Sequence, residues 1–370
     1  MSESRIIVVV TGSQSEYGLL KPVMQAIDRH PRLELRVVVT GTHLLGPALT
    51  VKEVELEFDV HARISMQQSG ESARCDNASA LGRGICGFAD YYSHNTPDVV
   101  LVLGDRIEAF AATAAATVAG IRVAHMHGGD RAEGIADEAL RHAITKLAHI
   151  HLPATGISTE RIICMGELPL RVHLVGSPAI DGLADIPPLP IYQYKEYGSP
   201  QIVFLLHPLG LDQDEEWANA ESLLRLCQSR GSVLALHPNL DPGHEGILEA
   251  IGQSDCEQRA HFPRDQFVGL LRRIKCLVGN SSAGLIECAA LGVPCINVGP
   301  RQAGREKPGN VLDVPDGDLG AVDLFLEEIE NGRTVPNEHP YGEGKAGEKT
   351  ADILATFNPE HHPLTKQNTY

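Results

Sequence analysis

The sequence predicts an α/β protein of two Rossmann-like domains, each a doubly wound parallel sheet. Three observations predict it. Short runs rich in Val and Ile recur along the chain: Ile6–Val10, Leu35–Val39, Val99–Leu103, Val123–Met126, Val172–Val175, Ile202–Leu206, Val233–Leu236, Cys276–Val278 and Cys295–Val298. They lack polar alternation, which suits parallel strands covered on both faces. Longer amphipathic stretches lie between them: Tyr17–His30, Ser72–Ser93, Arg106–Ala119, Ala136–Ala148, Asp212–Arg230 and Ser281–Leu291. Strand followed by helix, repeated, is the doubly wound pattern. The alternation breaks once, over the proline-dense stretch Gly182–Pro200, which reads as a linker.

That break sets the boundaries: a first domain at 1–181, a linker at 182–200, a second domain at 201–357, and a polar tail at 358–370 expected to be loosely ordered. A chain of 370 residues suits two domains. The composition, 43% hydrophobic and 21% charged, is that of a globular protein with real cores. The formal net charge of −17, from 31 Lys+Arg against 48 Asp+Glu, argues against nucleic-acid partners, because backbone affinity comes from clustered cations. A phosphate ligand would be held locally, by helix N-termini and a few placed Arg or His residues. The run Ile6–Val10 is too short for a signal-peptide core or a membrane span. A cytoplasmic protein without membrane partners is expected. Eight cysteines are scattered without a Cys-x-x-Cys pair and read as free thiols.

Ligands of open α/β sheets bind beyond the carboxyl ends of strands, and five such ends carry polar clusters. Thr11 to Gly18 (TGSQSEYG) follows the first strand. Its glycine permits a tight turn and the helix after it offers free N–H groups. A plain capped turn fits equally well, and no Gly-x-Gly-x-x-Gly fingerprint argues for a dinucleotide. Gly104-Asp105-Arg106-Ile107-Glu108 places three charges directly beyond an apolar strand, where they must be solvated or paired. Asp105 and Arg106 are candidates for function rather than an N-cap with a surface ion pair.

The densest cluster runs from His125 to Gly134 (HMHGGDRAEG), then Asp137-Glu138-Ala139-Leu140-Arg141-His142. His125 and His127 are two apart, a spacing that puts both on one face of a strand and admits a metal. No Cys or third His stands close by, and acid/base chemistry fits better. Crowded imidazoles and carboxylates push each other's pKa values apart. His127, Asp130, Glu133 and Asp137 lie in this cluster and are its acid/base candidates, with a plain solvated loop as the alternative reading and no metal expected.

Two further ends carry His207-Pro208 and His237-Pro238-Asn239-Leu240-Asp241. His207 and Asn239 suit hydrogen bonds to a sugar or diphosphate, though capped turns use the same residues. The fifth end, Gly279-Asn280-Ser281-Ser282-Ala283-Gly284, opens a helix with hydroxyls and small side chains, a good pyrophosphate cradle. Glu287, one turn on, suits ribose hydroxyls better than phosphate. Arg301 and Arg305 follow on a nearby loop and suit phosphate.

Taken in order, these residues resemble the hydrolysing UDP-N-acetylglucosamine 2-epimerases, the enzymes that open sialic-acid and legionaminic-acid synthesis. The resemblance runs from Thr11 to about Leu354. It is carried by Gly104-Asp105-Arg106, His125 to Gly129, Asp137 to Lys146, Gly166-Glu167, His237 to Asp241, Gly279 to Gly284, and Arg301-Gln302 with Gly304-Arg305-Glu306. It implies a glycosyltransferase-B type fold with the site in the interdomain cleft, the sugar on the first domain and the nucleotide on the second. It implies nucleotide contacts from His207, Ser281, Ser282, Glu287 and Arg301, and catalytic carboxylates at Asp105 and Asp137. The implied reaction removes the C2 proton, expels the nucleotide to leave a glycal-like intermediate, then adds water at C1 and reprotonates C2 on the opposite face. No cofactor is needed. The implied substrate is UDP-N-acetylglucosamine or a 2,4-diacetamido-6-deoxy analogue. Three positions depart from the family pattern. Gln14 stands where Arg is frequent and Leu19 where Lys is. Asp130 stands where the hydrolysing branch often has Glu. His127 fits the hydrolysing branch, since non-hydrolysing relatives tend to carry Glu there. A non-hydrolysing epimerase, a glycosyltransferase and an inactive sugar-nucleotide binding protein are the alternatives. Apolar helices such as Ala109–Val118 suit either a homo-oligomer, dimer or tetramer, or burial within one subunit.

Overall fold

A computed structural model describes residues 4–46, 49–71, 74–131, 138–239, 241–315 and 317–366. The described residues form two parallel six-stranded sheets. The first contains β1 (Arg5–Thr11), β2 (Leu33–Thr40), β3 (Val60–Ile64), β4 (Val99–Leu103), β5 (Arg122–Met126) and β6 (Ile150–Leu152), in the order β3-β2-β1-β4-β5-β6. The second contains β7 (Ile202–Leu205), β8 (Val233–Leu236), β9 (Glu257–Arg259), β10 (Cys276–Gly279), β11 (Cys295–Val298) and β12 (Val311–Val314), in the order β12-β11-β10-β7-β8-β9. Both orders reverse direction once, between β1 and β4 and between β7 and β10. Those reversals are where a doubly wound sheet binds ligands.

Register follows from burial on both faces. Ile7 aligns with Leu35 on one side and Val99 on the other. Ile7 and Val9 pack into one core layer while Val8 and Val10 pack into the layer behind the sheet. Strands buried on both sides have no polar face to show, which is why the apolar runs locate them. The edge strands β3 and β9 carry charged residues such as Arg63 and Glu257 and were not among the expected strands. Val172–Val175 was expected as a strand. Among its residues only Val172 forms a bridge, to His151, although His173 N and Val175 N also donate to His151 O and Pro153 O alongside β6.

The chain divides into two compact units. One comprises Met1–Asp130, Asp137–Asp181 and Pro340–Tyr370, the other Arg131–Ala136 and Gly182–His339. The second domain expected to run to 357 thus ends at His339. The helix Ala346–Thr356 returns to the first unit, where Ala351, Leu354, Ala355 and Phe357 join the core that holds Ile7 and Leu20. Its free N-terminal N–H groups explain the return: Asp181 accepts from Ala346 at 2.9 Å and Gly347 at 2.6 Å. The stretch read as linker contains a short helix, Ile191–Glu196.

The tail expected to be loose is tied down as far as Lys366. Arg122 donates to His362 O at 2.8 Å, Arg171 to His361 O at 2.8 Å, and Lys366 Nζ to Lys146 O at 2.8 Å. The alanine face of helix Ile107–Val118 is spent inside its own subunit, with Ala109, Ala111, Ala112, Ala115 and Ala116 in the core behind the first sheet. All eight cysteines are free thiols. Among the described residues no helix is long and apolar enough to cross a membrane.

Candidate functional site

The first unit gathers its polar residues at the β1/β4 reversal and at the end of β5. Asp105, just past β4, accepts from the guanidinium of Arg141. Arg141 comes from helix Glu138–Leu147, and its side chain is only 4% exposed. It also donates to the His127 carbonyl at 3.4 Å and approaches Asp130 at 3.9 Å. Burial opposes its charge, but Asp105, Asp130 and Glu138 outweigh burial and raise its pKa. Arg106 precedes helix Ile107–Val118 and donates to Glu108 Oε2 at 3.3 Å, while Gln67 donates to Glu108 Oε1 at 2.6 Å. Beneath them Glu16 accepts the Gly12 N–H at 2.6 Å. Burial pushes Glu16 up to about 8 against that bond, and Glu108 adds to the rise.

His127 leaves the path of β5. The strand ends at Met126, and His127 takes a left-handed conformation, φ 58°. The two glycines after it answer steric limits. A Cβ on Gly128 would lie 2.9 Å from His125 Nδ1, and one on Gly129 would lie 2.3 Å from the Ser158 carbonyl. This turn separates the two histidines that strand spacing would have put on one face. His125 bonds Thr145 Oγ1 at 3.1 Å and Gly104 O at 2.8 Å. Burial pushes its pKa down to about 3, so it is a neutral core residue. His127 instead bonds Asp130 Oδ2 through Nδ1 at 2.8 Å and Ser177 Oγ through Nε2 at 3.1 Å. Ser158 donates to the other Asp130 oxygen at 2.7 Å. Among the described residues no three His, Cys, Asp or Glu side chains stand together as metal ligands.

The second unit builds its cluster at the β7/β10 reversal. Asn280, 1% exposed, joins the two strand ends. Its side chain accepts from His207 N at 2.7 Å and donates to His207 O at 2.8 Å. Its carbonyl accepts from Gln302 at 2.8 Å and Arg301 at 3.4 Å. The Asn239 N–H donates to His207 Nδ1 at 3.1 Å, which leaves the proton of the neutral ring on Nε2. Burial, then the Arg301 charge, holds the His207 pKa well below its ordinary value. Ser281 caps the next helix, its hydroxyl accepting from Ala283 N at 3.4 Å. The helix expected at Ser281–Leu291 is broken: Ser282–Leu285 and Glu287–Leu291 meet at Ile286, whose backbone departs to φ −104°, ψ −68°. Glu287 begins the second piece and faces Arg264 at 3.8 Å.

The structure thus joins Asp105, His127 and Asp130 through Arg141, and His207, Asn239, Ser281 and Arg301 around Asn280. Arg106 turns to Glu108, and Glu287 to Arg264. Ser282 is partly exposed at its helix start. Glu133 and Asp137 lie outside the described residues. Of the departures from the family pattern, Gln14 donates to Glu53 at 2.5 Å, and Leu19 packs against the first core. Arg141, Ser158, Ser177, Asn280 and Glu16 were not singled out from sequence. Asn280 lay inside a quoted motif, and Arg141 is a cation on the inner face of an amphipathic helix. Ser177 stood in Val175-Gly176-Ser177-Pro178, which reads as a strand end without a role, and Ser158 had no such signal.

Comparison with known proteins gives the family and the fold. The family profile described as UDP-N-acetylglucosamine 2-epimerase matches residues 25–355. The chain is 34% identical over 387 aligned residues to UDP-N,N'-diacetylbacillosamine 2-epimerase (hydrolyzing) of Legionella pneumophila, covering 99% of this chain and 100% of that one. It is 33% identical to a UDP-N-acetylglucosamine 2-epimerase of Neisseria meningitidis serogroup B, over 83% of this chain and 82% of the other. Among solved structures, UDP-GlcNAc 2-epimerase from Neisseria meningitidis bound to UDP-GlcNAc shares the fold, with TM-score 0.81, 19% identity, and coverage of 94% and 99%.

Proposed function

The chain belongs to the UDP-N-acetylglucosamine 2-epimerase family, and from that premise we propose that it is a hydrolysing 2-epimerase of a nucleotide-activated N-acetyl amino sugar. The observation that carries the reading is the buried His127–Asp130 pair at the carboxyl edge of the first sheet, 2.8 Å apart. Held between Asp130 and Ser177, that imidazole is placed to take part in proton transfer, the commonest role of a histidine in acid/base catalysis. The full-length relation to an enzyme named as hydrolysing supports it.

The first unit carries the proton chemistry. A base takes the C2 proton, the C1–O bond breaks, and the nucleoside diphosphate departs with the bonding pair, leaving a C1–C2 double bond. Water then adds its oxygen to C1, and C2 takes a proton on the opposite face. The products are the free 2-epimeric sugar and the nucleoside diphosphate. His127 takes part in the transfer at C2, with Asp105, Asp130, Glu133 and Asp137 as the carboxylates of the site. Arg106 serves the substrate.

The second unit holds the nucleotide through His207, Asn239, Ser281, Ser282, Glu287 and Arg301. The His207 Nε2–H donates without adding charge, and Arg301 supplies the cation for the diphosphate. The substrate is UDP-N-acetylglucosamine or a 2,4-diacetamido-6-deoxy analogue, and the name of the Legionella relative supports the second. The enzyme acts in the cytoplasm as a homo-oligomer, in sialic- or legionaminic-acid synthesis. It works without a cofactor.

The test is release of nucleoside diphosphate from a panel of sugar nucleotides, with the sugar product identified. Free 2-epimeric sugar with nucleoside diphosphate is expected. An intact epimerised sugar nucleotide would show a non-hydrolysing enzyme, and transfer to an acceptor a glycosyltransferase. Binding without turnover would show an inactive relative.

A further inference from the structure

We propose that Ser177 is a positioning residue for His127, completing a hydroxyl–imidazole–carboxylate relay that lets the ring gain and lose a proton without leaving its place. The functional part of this proposal rests on the reading of His127 as the group that exchanges a proton with the sugar. The geometry stands by itself.

The relay is built link by link. Asp130 accepts at both oxygens, from Ser158 Oγ at 2.7 Å and from the ring of His127 at 2.8 Å. A carboxylate only accepts, so Nδ1 of His127 must carry a proton. In the neutral ring Nε2 is then a bare acceptor, and the Ser177 hydroxyl, 3.1 Å away, donates to it. Ser177 Oγ is in turn held by the backbone, accepting the Ala179 N–H at 3.2 Å. When the ring is protonated both nitrogens donate. A hydroxyl can turn its hydrogen away and accept instead. Ser177 satisfies Nε2 in either state, which an amide or carbonyl partner cannot do.

Burial makes this partnership matter. Ser177 is 0% exposed, His127 6% and Asp130 5%. A nitrogen stranded without a partner there would cost free energy. The backbone of His127 is in the left-handed region, φ 58°, unusual for a residue with a Cβ. Such conformations persist where surroundings over-determine them, often at functional sites. The ring is fixed from both sides by Asp130 and Ser177. Ser177 sits where the chain leaves the first unit's last apolar run, and its N–H donates to Tyr341 O at 2.8 Å. The hydroxyl is therefore held by fixed backbone rather than by a mobile loop.

The test uses the full chain with 15N-labelled histidine. His127 resonances are assigned by their loss in His127→Gln. Wild type is expected to show a protonated Nδ1 and a bare, hydrogen-bonded Nε2. Ser177→Ala should shift the Nε2 resonance and lower kcat by about 10- to 100-fold, the scale of losing one buried hydrogen bond to a group that carries charge during the reaction. KM and UDP affinity should stay within about threefold, and Ser177→Thr, which keeps the hydroxyl, should restore the Nε2 signature. A proton on Nε2 in wild type, or a Ser177→Ala enzyme with wild-type kcat and an unmoved resonance, overturns the relay. If wild type releases no nucleoside diphosphate from any sugar nucleotide, yet Ser177→Ala moves the Nε2 resonance, the relay stands and the epimerase reading falls.

Discussion

His127 and Arg141 are two buried polar residues with opposite demands. On the proposed reading His127 exchanges a proton with the sugar, so its replacement should cost rate rather than fold. A positioned acid/base group contributes about 10²–10⁴ in rate, and His127→Ala should lose that much turnover while UDP binding, measured by calorimetry, stays close to wild type. Near wild-type turnover would move the proton chemistry to the neighbouring carboxylates. Arg141 keeps its charge and links Asp105, the His127 carbonyl and Asp130. Removing one partner from a buried ion pair costs about 3–5 kcal/mol, because the other charge is stranded. Arg141→Met should therefore lower the stability of the first unit by that much in a urea titration. A change under about 1 kcal/mol would mean that water reaches Asp105 freely. In the second unit, Arg301→Ala should weaken UDP binding about 10-fold or more, as loss of a charge-assisted hydrogen bond does. Unchanged affinity would place the diphosphate elsewhere.

The Gly128-Gly129 turn lets the end of β5 meet helix Gly156–Cys164, and it was half legible beforehand. Two adjacent glycines between charged residues announced a tight loop, but not that Gly129 lies against the Ser158 carbonyl. Gly129 has φ 77° and no room for a Cβ, while Gly156, at the start of the same helix, has nothing within 4 Å. Gly129→Ala should thus destabilise by roughly 1–3 kcal/mol and disturb the Asp130–Ser158 bond. Gly156→Ala should be neutral or stabilising by up to about 1 kcal/mol. Equal melting temperatures for the two variants would contradict this packing. The same contrast explains what the sequence could say. Central strands such as Val99–Leu103 are buried on both faces and announce themselves by composition. Edge strands such as Glu257–Arg259 carry polar residues on a partly covered face and look like loop. The return of Ala346–Thr356 was hidden because its capping carboxylate, Asp181, is 165 residues from Ala346. Motifs at strand ends pointed to both polar clusters that the structure assembles there. The partners that orient them, Ser158 and Ser177, arrive from other segments and carry no local signature.

Across the whole molecule, acid sensitivity follows from how its histidines are buried. In the first unit burial holds His43, His149 and His151 down to about 4 and His125 to about 3. The unfolded chain takes up protons at these sites below about pH 6.5, while the folded chain takes them up only near the depressed values. Their contribution is complete above the unfolded pKa and is lost as pH falls through the folded ones. Glu16 has the opposite sign. Burial raises it to about 8, so the folded chain keeps a proton that the unfolded chain releases above about pH 4.5. Its contribution is complete at low pH and is lost as pH rises toward 8. Between pH 8 and 6.5 only Glu16 changes much, and stability should rise as pH falls. Below about pH 6.5 these four histidines, joined by His173 and His362 whose pKa values burial also lowers, oppose one carboxyl, and the balance turns to a loss. Further acid adds Glu167, which its bonds to His151, Lys146 and Lys366 hold down to about 2 despite burial. The first unit should therefore be most stable near about pH 6.5 and fall away into acid and toward pH 8, while above pH 8 Lys366, which burial lowers to about 8, opposes further loss. Urea titrations from pH 4 to 9 test this, with Glu16→Gln expected to flatten the alkaline side and leave the acid side in place. A stability that keeps rising to pH 8 in wild type would show that Glu16 is ionised in the folded protein, and that water reaches the β1/β4 edge more freely than its burial implies.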